Sequence, residues 1–117
     1  MSVSTMEELK KNLKDFVEKR EWFKYHSPKN LAIGLSVEAA ELLEIFIWLT
    51  EEESKELNEK QKTVLREEIG DIMIYLINLA EKFDLDPIEC AKHKLEINKS
   101  KYPSDLVKGS AKKYNEY

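Results

Sequence analysis

The chain has 117 residues, a formal net charge of −4, a hydrophobic share of 42% and a charged share of 36%. That mixture excludes a disordered chain, and the length suits one domain around a single core. Without the basic face that neutralises phosphates, polymeric DNA or RNA is excluded as a partner, whereas a small anion arriving with its own cation is not.

Met1 to Met6 shows no basic stretch followed by an apolar one, so no signal peptide is expected. Ser4 and Thr5 each precede a glutamate by three residues, Glu7 and Glu8, which is a capping-box signature. Met6, Leu9, Leu13, Phe16 and Val17 follow at helical spacing, so a first helix is expected to about Arg20. An irregular aromatic stretch from Trp22 to Ser27 comes next, and Pro28 suits the opening of a second helix, expected from about Lys29 to Leu49. That stretch is long enough to span a bilayer, yet Glu38, Glu41 and Glu44 interrupt it, and an acid at a membrane centre costs roughly 2.5–3.5 kcal/mol. A membrane partner is therefore excluded.

Thr50 with Glu53 predicts a short helical turn, and Asn58 with Gln61 caps a third long helix ending near Phe83. Asp86, Pro87 and Glu89 supply N-cap, N1 and N3 of a fourth helix, which Tyr102-Pro103 ends. These elements predict an all-α chain, a four-helix bundle over residues 1–103 with a loosely held tail over 104–117. The second helix is apolar on every side, more than one bundle can cover, so self-association is expected. Cys90 stands alone, which fits a reducing, cytoplasmic setting.

Glu38 and Glu41 lie three residues apart on one face of the second helix, with Gly34 and Ile45, and Glu68 and Asp71 repeat the spacing on the third. Val64, Ile72, Tyr75 and Leu79 fall within about 40° of Glu68 and are expected to mark the buried side of that helix. A single such pair usually belongs to a solvated face. Two pairs facing inward on adjacent helices would repel unless a cation neutralised them, and oxygen-only ligands suit Mg²⁺ or Mn²⁺ rather than zinc. A di-iron bundle would need Glu-x-x-His, which neither His26 nor His93 supplies. Lys94, Asn98 and Lys101 form a polar stripe on the fourth helix, able to meet phosphates if it lies near the cation. Trp22, His26 and Trp48 offer rings on which a planar base could stack. Each of these groups has a plainer reading, as surface lysines and core aromatics.

The acidic pattern, Glu38-Ala-Ala-Glu41 and Glu68-Ile-Gly-Asp71, resembles that of the MazG-like all-α nucleoside triphosphate pyrophosphohydrolases. The segments REWFKYHSPKNLAIGLSVEAAELLEIFIW, EEIGDIMIYLINLA, KLEINKSKYP and KGSAKKY resemble the dCTP pyrophosphatase branch. The resemblance implies cleavage between the α- and β-phosphates of dCTP, with 5-modified dCTP as a further substrate, to a monophosphate and pyrophosphate. It further implies Mg²⁺ on Glu38, Glu41, Glu68 and Asp71, with Glu38 or Glu41 activating the water. Lys94, Asn98 and Tyr102 would contact phosphates and sugar, and Trp22, His26, Trp48 and Tyr75 would shape the base and deoxyribose pocket. The working unit would be a dimer or a dimer of dimers. Ala39 and Ala40 stand where relatives often have glycine, and Lys101 where some carry arginine. The rivals are a dUTP-type or broad-specificity hydrolase, and a non-catalytic helical adaptor.

Overall fold

A computed structural model describes residues 5–109, and among these every regular element is helical. In order they are α1 (Met6–Lys19), a 3-10 turn (Phe23–Tyr25), α2 (Pro28–Phe46), α3 (Glu51–Ser54), α4 (Glu59–Glu81), α5 (Pro87–Lys101) and α6 (Ser104–Val107). The chain divides after Asp84 into two compact units, the first carrying α1 to α4 and the second α5 and α6. The part of the expected tail from 104 to 107 is thus a short helix, while residues 110–117, including most of KGSAKKY, lie outside the described residues. So do Met1 to Ser4, where the signal-peptide question arose.

The helix starts follow the capping chemistry. Thr5 accepts the Glu8 N–H at 3.1 Å, and Ser27 accepts that of Asn30 at 3.1 Å. Thr50 with Glu53, and Asn58 with Gln61, form reciprocal capping boxes, and Asp86 accepts the Ile88 N–H at 2.8 Å. Each satisfies a donor that the helix geometry leaves orphaned. Helix α2 ends earlier than expected, at Phe46, and Trp48 sits in the turn beyond it rather than closing the helix. The cause is local: Thr50 must be extended (φ −74°, ψ 167°) to cap α3, so the chain leaves the helix before it.

In the first unit α4 packs chiefly on α2 and also meets α1. The core is small: Leu31 and Ile77 are fully buried, with Leu13 and Val17 close behind. Ile77 corrects the expectation for α4, since nine residues at 100° each place it opposite Glu68. Its helix has two inner faces because a helix packs on each side; Val64 is exposed and Ile72, Tyr75 and Leu79 are only half-buried. Ile33, Val37, Leu43 and Ile47 on or just past α2, and Ile69, Met73 and Leu76 on α4, stay exposed, so the surplus apolar surface read from the sequence is present. No helix among the described residues is long and apolar enough to cross a membrane.

Candidate metal centre and adjoining pocket

Gly34 sets the distance between α2 and α4. A Cβ there would clash with the ring of Tyr75, so only glycine lets the two helices approach this closely. One turn further along α2, Glu38 and Glu41 reach the seam, and Glu68 meets them from α4. The three offer carboxylate oxygens that all lie within 4.8 Å of one another. Glu38 and Glu68 are half-buried and Glu41 is exposed. One Oε2 of Glu38 and one of Glu68 are buried with no hydrogen-bond partner.

Like charges held this close raise one another's proton affinity. The Glu38 carboxyl is pushed up from the ordinary 4.5 to about 7, first by a hydrogen bond to Glu68, then by burial, then by Glu41 and the charge of Asp71. The hydrogen bond exists only while one of the two carboxyls keeps a proton; with both ionised, the facing oxygens have no donor. A hard divalent cation resolves the same conflict without a proton, and three oxygen donors fit one. Asp71 stands outside the close trio, exposed on α4 one turn beyond Glu68.

Asp71 also forms the edge of a pocket of about 420 Å³. Leu13 and Phe16 of α1, Trp22, and Ile74 and Tyr75 of α4 give it apolar walls, while His26, Asn12 and Asn78 supply polar groups. Phe16 and Trp22 meet edge to face at 5.6 Å, which fixes that wall, and the Arg20 guanidinium lies over the Phe16 ring at 3.7 Å from its centroid. His26 is half-buried and also borders a second cleft of about 550 Å³, lined by Lys10, Lys11, Lys14 and Lys82. Burial, and then the charge of Lys82, hold its imidazole below the usual histidine value, so it is neutral at pH 7.

The first unit thus gathers Glu38, Glu41 and Glu68 into one cluster, and Asp71, Trp22, His26 and Tyr75 around one pocket. Within the single chain Trp48 does not line that pocket: it lies beyond the end of α2 and is 89% exposed. Lys94, Asn98, Lys101 and Tyr102 belong to the second unit, where the Tyr102 N–H closes α5 by donating to the Asn98 carbonyl at 2.8 Å. Asn12, Phe16 and Asn78 also line the pocket, although none of them belongs to the two acidic motifs that carry the family resemblance. Asn78 had a signal, since Asp71, Tyr75 and Asn78 stand at i, i+4 and i+7 on one helical stripe.

The MazG-like family model matches residues 33–117. The human protein dCTP pyrophosphatase 1 is 33% identical over 114 residues, covering 96% of this chain and 67% of the relative. Its bovine counterpart is 34% identical over 117 residues, covering 98% and 69%. Among solved structures, a pyrophosphatase from Archaeoglobus fulgidus superposes with a TM-score of 0.80 at 46% identity, covering 88% of this chain and 96% of that one.

Proposed function

The chain belongs to the MazG-like family, and from that membership we infer a nucleoside triphosphate pyrophosphohydrolase whose substrate is dCTP, with 5-modified dCTP as a further substrate. The observation that carries this reading is the carboxylate trio, with two buried oxygens lacking partners, beside a pocket of nucleoside size. A non-catalytic adaptor has no use for that arrangement, whose electrostatic cost buys only ligand binding.

Glu38, Glu41, Glu68 and Asp71 would hold Mg²⁺, or Mn²⁺ in its place. The ion, when bound, neutralises the triphosphate and makes a bound water more acidic. Glu38 or Glu41 accepts the proton of the attacking water. The water oxygen bonds to the α-phosphorus, and the bond from that phosphorus to the α,β-bridging oxygen breaks. Deoxycytidine monophosphate and pyrophosphate leave. Lys94 offsets charge on the departing pyrophosphate, and Asn98 and Tyr102 orient phosphates and sugar. Trp22, His26 and Tyr75 enclose the deoxycytidine. The exposed Ile33, Val37, Leu43, Ile47 and Trp48 support assembly as a dimer or a tetramer, in a cytoplasmic role guarding the nucleotide pool.

The test is a panel of deoxynucleoside and nucleoside triphosphates with Mg²⁺ and product identification. The expected products are the monophosphate and pyrophosphate, with dCTP used best. Orthophosphate as first product would overturn the bond assignment, a preference for dUTP would overturn the substrate, and no turnover of any nucleotide would leave the adaptor reading standing.

A further inference from the structure

The pocket beside the acids is apolar except for a few groups, and two of them are amides with no task in the fold. Asn78 is half-buried on α4 and Asn12 exposed on α1, and both line the cleft. Neither side chain makes a hydrogen bond to any other group among the described residues. While the exposed Asn12 amide keeps its bonds to water until a ligand takes them, the half-buried Asn78 amide, set against apolar walls without a protein partner, costs free energy that a bound ligand recovers.

Its place on the helix suggests which ligand part it meets. Asp71, Tyr75 and Asn78 occupy one stripe, and seven residues at 1.5 Å each separate the first from the last by about 10.5 Å along the axis. Phosphates held at the acidic end and a sugar beside Tyr75 leave the base at Asn78. We propose that Asn78, with Asn12 across the cleft, reads the hydrogen-bonding edge of the base and is a specificity-determining residue of this site. This rests on the pyrophosphohydrolase reading above. An asparagine matches the cytosine edge: its carbonyl oxygen accepts from the 4-amino group while its N–H donates to ring N3. The same bidentate logic pairs asparagine with adenine in DNA recognition.

A site built to hydrogen-bond a substrate group rejects the analogue lacking it, because its own polar atoms are then left bare. The experiment compares kcat/KM for dCTP with that for its 2-pyrimidinone analogue, which has hydrogen in place of the 4-amino group, in the wild type, Asn78→Leu and Asn12→Leu. The wild type should favour dCTP by about 10- to 100-fold. Asn78→Leu should bring that ratio close to one, and Asn12→Leu should lower it less. Equal use of the two nucleotides by the wild type, or an undiminished preference in Asn78→Leu, would overturn the proposal. If Asn78→Leu fails to fold, the wild-type ratio and Asn12→Leu still decide it. Failure of the underlying hydrolase reading looks different: the wild type would release pyrophosphate from neither compound.

Discussion

Two places on α4 handle polar groups in opposite ways. At its start, Asn58 accepts the Gln61 N–H at 2.8 Å and Gln61 returns the bond to Asn58 N–H at 2.9 Å, so every partner is within reach along the chain. Further along the same helix, Glu68 ends in a buried oxygen with no donor, and Glu38 in the same carboxylate cluster ends in another. The first site stabilises the helix and needs nothing else. The second is a local conflict that only a proton or a cation relieves, and such conflicts mark functional sites.

Removing the proposed metal ligands at and beside the conflicted site should have the largest effect. Asp71→Ala and Glu41→Ala are expected to lower the steady-state rate of pyrophosphate release from dCTP by about a thousandfold or more, with the helical circular dichroism retained. A normal rate in either would remove that residue from the metal centre.

The pH dependence sharpens the contrast. Because the Glu38 carboxyl is raised from 4.5 to about 7, the folded state binds its proton more tightly than the unfolded state does. The stability this contributes is complete below pH 4.5 and is lost as the pH rises through about 7. Urea denaturation without divalent cation should therefore show stability falling over that interval, with saturating Mg²⁺ restoring it at pH 8. Glu38→Gln, which has no charge to bury, should flatten the fall; a variant with the wild-type slope would assign the effect elsewhere.

Smaller changes belong to the satisfied end. Asn58→Ala should cost about 1 kcal/mol in urea unfolding and leave the affinity for Mg²⁺ untouched, since the cap serves only the helix. Smallest is Glu21→Gly: Glu21 sits at φ 53° just past α1, where glycine is unstrained, so a gain of up to about 1 kcal/mol is expected. A loss there would mean that the Glu21 side chain makes a contribution its backbone geometry does not reveal.

The same contrast explains what was legible in the sequence. Thr5, Asn58 and Asp86 announced their helices because capping depends on residues a few positions apart, and so did the paired acids, whose spacing fixes a helical face. The extent of the apolar surplus on α2 was visible for the same reason. Position in three dimensions was not. Ile77 looks like any apolar residue of α4, and its full burial depends on α1 packing there as well as α2. Trp48 reads as helical until the demands of the Thr50 cap are counted, and Asn12 joins the pocket only because α1 crosses α4 at that level. The likeness to a known family carried the chemistry further than spacing alone, since two acidic pairs are also what a solvated helix face would show.

The most direct test of the central claim is Mn²⁺ binding followed by electron paramagnetic resonance, in the wild type and in Glu68→Gln. Saturable binding that Mg²⁺ displaces, that tightens as the pH rises through 7, and that weakens about tenfold or more in the variant is the predicted result. Equal affinity in the two proteins, unmoved by pH, would show that the carboxylates between α2 and α4 do not hold the ion.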